Sequence, residues 1–206
     1  MLLAVNPTRM HLLRLKKRLR LAIRGHKLLK DKQDELMRRF MELVKRIRGM
    51  RQEVEQDLHE AFRRFTLARS VMSEASLEEA LALPGKRLEV AVATRRIMNV
   101  EVPQFEPKAE GKIFCYGFAT TSGELDVSLR SLDAVLLRLI DLAQAEKTMM
   151  LLADEIDRTR RRVNALEYTL IPNLRETIRY ITMKLEELER ANLTRLMKIK
   201  EMTEER

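Results

Sequence analysis

Three histidines, one cysteine and two dense groups of cations are the side chains of this sequence best suited to chemistry. His11, His26 and His59 stand far apart. None belongs to a helical HExxH pair, in which two imidazoles one turn apart hold zinc and the carboxylate acts as base. Gly25-His26-Lys27 lacks the preceding strand and glycine spacing of a phosphate loop, and no GxxxxGK[ST] occurs. Cys115 has no second cysteine, so it forms neither an internal disulfide nor a CxxC metal site, and it fits a reducing compartment. We therefore expect no catalytic residue, no cofactor and no metal.

The cations are more informative. Between Arg9 and Lys30 there are nine Lys/Arg and no Asp/Glu, which equals the net charge of +9 for the whole chain. Arg14, Lys16, Lys17, Arg18, Arg20, Arg24 and Lys27 would point in several directions from one helix, forming a sleeve of positive charge. Such a sleeve is either an ordinary solvated face or a surface for nucleic acid, anionic membrane or an acidic protein wall. No aromatic ring lies among these cations, whereas single-strand nucleic-acid platforms stack bases on rings. We expect no nucleic-acid partner. The second group, Arg158 to Arg162, follows Asp154, Glu155 and Asp157, so Asp154–Arg158 and Asp157–Arg161 have helical i, i+4 spacing. A self-paired solvated face and a docking patch both fit it.

Long helices must carry these side chains. Asn6-Pro7 is a helix start, with Asn6 as cap and proline where a missing N–H costs nothing. From there Leu12, Leu15, Leu19, Ala22, His26, Leu29, Gln33, Leu36, Phe40, Leu43, Ile47, Met50 and Val54 alternate spacings of three and four. That is a heptad seam, which wraps a partner helix. A four-plus-four step at Met50, Val54 and Leu58 reads as a stutter. Pro84-Gly85 is the expected end, after about 110 Å of helix at 1.5 Å per residue. His26 lies on the seam, where it is expected to set register. The methionines Met37, Met41, Met50 and Met72 share this helix and read as packing.

The last part behaves alike. Leu125, Leu129, Leu132, Leu136 and Leu139 open a three/four pattern; Val163 and Leu166 continue it; Ile178, Ile181, Leu185 and Leu188 close it. Leu166, Leu170 and Leu174 step four and four around Pro172, which removes one hydrogen bond and is expected to bend the helix. Between the flanks, glycine and proline concentrate and the period becomes two. Leu88, Val90 and Val92 alternate, as do Ile97 to Val102, ending at Pro103. Ile113 to Phe118 is a β-branched and aromatic run. We expect two or three short strands, with a hairpin too small to fold alone.

The expected fold is mostly α: a long antiparallel two-helix coiled coil of the flanks, 1–83 and 124–206, around a hairpin-containing connector, 84–123, in one elongated domain. Symmetric pairing from the chain ends gives paired numbers summing to roughly 207, within a heptad. Leu19 would then meet Leu188, and Leu43 would meet Val163 or Leu166. A homodimer is not expected. Aromatic residues are only 4% of the chain, poor material for a globular core, while charged residues at 34% suit a long helix. The opening Met1 to Val5 is too short for a leader, and no apolar run reaches a membrane span, so a cytoplasmic chain without membrane insertion is expected.

Particular residues go further. Asn6-Pro-Thr-Arg-Met10, then Arg24-Gly-His-Lys-Leu-Leu-Lys-Asp-Lys-Gln-Asp-Glu-Leu-Met37, resemble the N-terminal signature of the D subunit of V-type and A-type ATPases. Thr159-Arg-Arg-Arg-Val-Asn-Ala-Leu-Glu167, Ile171-Pro172, Lys184-Leu-Glu-Glu187 and Thr194-Arg-Leu196 agree in order. The 24–37 block is specific, whereas 84–123 matches only in its strand-like character. The resemblance implies a non-catalytic central axle inside a ring of catalytic A and B subunits. It further implies binding to the F subunit and connection through the C (or d) subunit to the membrane rotor, peripheral to the membrane. The basic sleeve would face the ring, and the hairpin of Leu88, Val90, Val92, Ile97, Val100 and Val102 would be a regulatory contact. A non-rotary coiled-coil scaffold or tether is the alternative.

Overall fold

The computed structural model describes residues 6–118 and 121–204; the opening segment read above as too short for a leader lies outside them. The elements are helix α1 (Arg9–Val71), helix α2 (Glu74–Leu81), strands β1 (Lys86–Ile97) and β2 (Val100–Gly111), and helix α3 (Gly123–Asn164). A π-helical segment (Ala165–Leu170) and helix α4 (Ile171–Glu204) complete them. The chain divides into two compact units, one holding α1 up to Glu35 with the chain from Ile156 onward, the other Leu36–Glu155.

In the first unit α1 and α4 run antiparallel. Leu15 and Ala22 are buried against Ile171, Leu174 and Ile181, with Leu12, Leu19, Leu170, Ile178 and Leu185 packed at the margin. Arg9 pairs with Glu189, and His26 lies 3.2 Å from Glu167. On the α3 side of this unit Ile156, Thr159 and Val163 are buried, while Leu29 and Leu166 are half-buried. In the second unit Ile47 and Val54 of α1 are buried with Val135 and Leu142 of α3, and Leu43, Met50 and Leu58 join them. Leu36 is fully buried and Phe40 half-buried. The buried set continues by sevens through Ile47, Val54, Ala61 and Ala68, so the four-plus-four step at Met50 to Leu58 does not interrupt it.

The antiparallel pairing is as expected, but its register is not. Paired numbers add to 198 for Arg9–Glu189, 193 for His26–Glu167, 197 for Arg51–Glu146 and 195 for Asp57–Arg138. All fall below the range about 207. Leu188 is therefore exposed and does not meet Leu19, which packs against the Ile171–Ile181 cluster. Leu43 likewise joins Val135 and Leu142 rather than Val163 or Leu166. The reason lies in the hairpin. Its Cα partners, from Lys86↔Gly111 to Ile97↔Val100, add to 197 throughout, so the chain reverses at Met98-Asn99, ahead of its midpoint.

That turn also corrects the strand boundaries. Met98 and Asn99 both have positive φ, 49° and 68°, the signature of a two-residue type I′ turn. The run Ile97 to Val102, expected as one strand, thus contains the turn. β2 continues through Pro103 and Pro107. The Phe105 N–H donates to Gln144 Oε1 of α3 at 2.6 Å, so it points away from β1. Residues two apart along a strand share that direction, so positions 103 and 107 need no N–H for the ladder. Ile113 to Phe118 forms no strand. At Gly111, φ is +95° and an added Cβ would lie 2.1 Å from the Gly85 carbonyl oxygen, so glycine closes the hairpin base.

The first helix ends earlier than Pro84. Ser73 caps α2, its Oγ accepting from the Ser76 N–H at 3.2 Å. Leu77 and Ala80 of α2 then pack on Ala68 and Leu125. Helices α3 and α4 likewise meet through the π-helical segment next to Pro172, where the Ile171 N–H donates to Leu166 O, five residues back.

The register is open to direct measurement. In a Cys115→Ser background, a short bismaleimide is expected to join cysteines at Ala22 and Ile171 within one chain. Cysteines at Leu19 and Leu188 are expected not to link; the reverse result would restore the symmetric pairing.

Candidate functional site

Surfaces, rather than a cleft, carry the candidate chemistry. Along the first turns of α1, all seven cations of the expected sleeve are exposed: Arg14, Lys16, Lys17, Arg18, Arg20, Arg24 and Lys27. Among the described residues none of the seven has an ion-pair partner. An isolated helix face would ordinarily gain a few tenths of a kcal/mol from each i, i+4 acid–base pair, and this segment has no acid to offer. Among the described residues its charge is unspent. Apolar side chains are interleaved with it: Leu13, Leu21 and Leu28 are more than 60% exposed. The charge is plain in the sequence, whereas these leucines lie off the seam and the apolar period gives no sign of them.

At Arg158 to Arg162 the expected self-pairing is absent. Among the described residues neither Asp154–Arg158 nor Asp157–Arg161 is an ion pair, and Arg161 Nε reaches only the Asp157 carbonyl oxygen, at 3.4 Å. Thr159, inside the run, is buried. Because it takes one seam position, the arginines on either side are turned outward.

The hairpin has two unlike faces. Val100 and Val102 are buried, and Ile97 is half-buried near the turn, where residues of α1 and α3 line a cavity with Arg95 and Phe105. The other face shows Val90 and Val92, 42% and 65% exposed, with Leu88 half-buried. At the base, Lys86 and Asp133 form an ion pair in which both side chains are less than a quarter exposed. Beside it lies an apolar cavity of about 400 Å³, lined by Leu81, Leu83, Ile113, Leu132, Leu136 and Leu139 among others. Leu83 is 78% exposed. The unread signal was Leu81-Ala82-Leu83, a pair of leucines next to Pro84 where the seam period no longer holds.

Phe114, Tyr116 and Phe118 form a group of edge-to-face and tilted rings, with the Arg130 guanidinium 5.0 Å from the Phe114 centroid. Tyr116 donates its O–H to Asp126 Oδ1 at 2.6 Å. Burial, the hydrogen bond to Asp126 and the negative charge of that carboxylate all push the phenol well above its ordinary value. Among the described residues no three His, Cys, Asp or Glu gather as metal ligands, and no helix is long and apolar enough to cross a membrane.

Beyond Glu189, the partner of Arg9, α4 continues to Glu204 with every side chain exposed. Leu193, Leu196, Met197, Ile199 and Met202 are each more than half exposed.

A raised folded-state pKa gives stability that is present below the unfolded value and lost as pH rises through the folded one. Native Tyr116 keeps its proton after the unfolded phenol, near pKa 10, has released it. Stability is therefore expected to fall as pH rises above about 10. Tyr116→Phe is expected to flatten that fall and to remove the highest-pH component of the phenolate absorbance. Loss of a component that titrates near the ordinary tyrosine value instead would show that the Asp126 contact does not hold the proton.

The profile of the family described as the ATP synthase D subunit matches residues 11–201. The V-type ATP synthase D subunit of Clostridium botulinum (strain Langeland) is 55% identical over 211 residues, covering 100% of this chain and 98% of its own length. The protein of the same description from Acetivibrio thermocellus is 55% identical over 205 residues, 98% of this chain and 92% of its own. That of Thermoanaerobacter sp. (strain X514) is 55% identical over 200 residues, 96% of each.

Proposed function

The chain belongs to the ATP synthase D-subunit family, and we propose that it is the non-catalytic central axle of a rotary V/A-type ATPase. The full-length match carries this reading. The antiparallel helix pair supports it physically. A ring with three equivalent nucleotide sites works in sequence only around an asymmetric centre. A two-helix seam with a hairpin on one side offers each site a different face. If the axle's angle selects which site is stabilised, then hydrolysis at the sites must bias the angle, because coupling between sites is reciprocal. The chain itself holds no nucleotide in this reading; torque passes through packing and charge.

The partners follow from exposed surface. The unpaired cations from Arg14 to Lys27 face acidic residues on the inner wall of the A and B subunits. Long-range charge holds an axle without fixing one orientation by close packing. The apolar cavity beside Leu83 and the ridge of Val90 and Val92 take the remaining contacts, with the F subunit and with the C (or d) subunit that leads to the membrane rotor. The chain works at the cytoplasmic side, peripheral to the membrane.

Two measurements test this. Each exposed charge pair contributes only about 0–1 kcal/mol, so single substitutions do little. With Lys16, Lys17, Arg20 and Lys27 all changed to Gln, docking into the isolated A/B ring is expected to weaken and to lose part of its salt dependence. Equal affinity with an unchanged salt slope would reduce the sleeve to a solvated face. In the hairpin, Val90→Ser with Val92→Ser leaves the buried Val100 and Val102 in place. It is expected to alter ATP turnover of the assembled complex, since removing both apolar contacts costs about 1–3 kcal/mol. Unaltered turnover would remove the hairpin from regulation.

A further inference from the structure

The seam of the first unit is not uniform. Leu15, Ala22, Ile171, Leu174 and Ile181 are buried on one side of one level, and Ile156, Thr159 and Val163 on the other. Between them the packing thins. From Ile23 to Glu35, α1 has no buried residue, and from Asn164 to Leu170 there is none opposite. His26 and Leu29 are only half-covered, as are Leu166 and Leu170. A polar contact, His26 Nε2 to Glu167 Oε2 at 3.2 Å, crosses the seam here. Gly25, next to His26, adds no side chain, and a Cβ built on it would meet nothing within 4 Å.

The π-helical segment Ala165–Leu170 forms the opposite wall. Its cause can be read from the buried positions. Before it they advance by seven, from Ile156 to Val163; the next, Ile171, is eight residues on. After it the step of seven resumes, from the buried Leu174 to Ile181 and from the buried Ile171 through the partly buried Ile178 and Leu185. The helix thus carries one residue more than the heptad allows, and a wider turn absorbs it while the downstream face stays in the seam. Pro172 follows with no N–H to give and a ring that would clash with the carbonyl four residues back, at Tyr168. The segment is therefore held by fewer and longer-spaced backbone bonds than its neighbours.

We propose that this level, Gly25–His26 against Ala165–Leu170, is a torsional joint. A helix pair resists twisting through knobs of one helix set into holes of the other. Where the knobs are only half-covered, relative twist costs least, and the buried residues on either side remain packed. The His26–Glu167 contact can lengthen and re-form within that twist without leaving an apolar cavity. The load on the joint rests on the axle reading above; the joint itself rests on the packing alone.

Deletion of Tyr168, which is 73% exposed, makes the step from Val163 to Ile171 seven and removes the need for a π turn. Combined with Pro172→Ala it restores a continuous α-helix. Hydrogen exchange on the full chain is the first readout. Amides of 165–171 are expected to exchange faster than those of 156–163 and 174–185, and to slow by about tenfold in the deletion variant. A second variant, His26→Leu, fills the seam without altering chain length and is expected to slow the same amides. Equal protection across the three stretches in the parent overturns the joint, as does unchanged exchange in both variants. The second readout is the angular spread of a probe attached to the chain in the assembled, pausing ATPase. The spread is expected to narrow in both variants; the parent's spread retained in both overturns the mechanical role. A parent chain that does not enter the ATPase at all would sink the axle reading, and the exchange contrast would still stand or fall by itself.

Discussion

Burial along a narrow seam in each unit is the interaction from which the other features of this chain follow. Neither α1 nor its partners could keep a helix of such length in water through propensity alone, since isolated helices gain little per residue. Each instead covers the other's apolar stripe. Leu36, Leu125, Leu174 and Ile181 are fully buried, and burying each such side chain contributes about 1.5–3 kcal/mol. The stripe is only one side chain deep. It includes Ala22, Ala61 and Ala68, and the hydroxyl residues Ser128, Thr159 and Thr177, so the backbones approach closely there. Thr177 returns its proton to the Asn173 carbonyl, which lets a polar residue sit in the seam without an unmet donor. The hairpin has no core of its own and depends on the seam as a wall. It is tied to α3 at Gln144 and Asp133.

The seam was legible because period is local information. Every apolar step of three and four could be counted, and Leu15, Leu36, Ile47, Val163 and Ile181 are buried as that count requires. Register is different. It depends on where the chain turns back, and the turn is set by two residues, Met98 and Asn99, whose positive φ cannot be read from apolar spacing. Asn99 alone was a hint, since asparagine tolerates the left-handed region. Methionine gives none. The same distinction explains β2: the expected strand ended at Pro103, yet Pro103 and Pro107 occupy positions whose N–H would face away from the ladder.

The candidate surfaces were legible in proportion to how far they depart from ordinary composition. Nine cations without one acid cannot be missed. A leucine off the seam can be, because a single exposed apolar residue is commonplace. What separates Leu83 or Leu196 from that background is company. Leu83 borders a cavity with Leu81, Leu136 and Leu139, and Leu196 stands among Leu193, Met197 and Ile199 on a stretch of α4 beyond the Arg9–Glu189 pair. Such neighbours become visible only once the fold brings them together or denies them a cover. The Arg158–Arg162 run shows the reverse: Asp154 and Asp157 are in the right places by count, and among the described residues Arg158 and Arg161 do not pair with them.

Unspent charge and uncovered apolar surface bear differently on partners. An apolar patch left in water costs free energy roughly in proportion to its area, so it favours any surface that fits, and its contact is close and orientation-specific. Exposed lysine and arginine carry no such penalty alone; they act at distances of about a Debye length and tolerate rotation of the partner. In this chain the two kinds alternate along the start of α1, where Leu13, Leu21 and Leu28 stand between cations. At the hairpin base the apolar kind dominates, beside Leu81 and Leu83. An axle that must turn against some neighbours and stay fixed to others needs both kinds of surface, in different places. In the axle proposed above, the charge-rich start of α1 would take the turning contact and the apolar cavity the fixed one, because only the second gains from holding a single orientation.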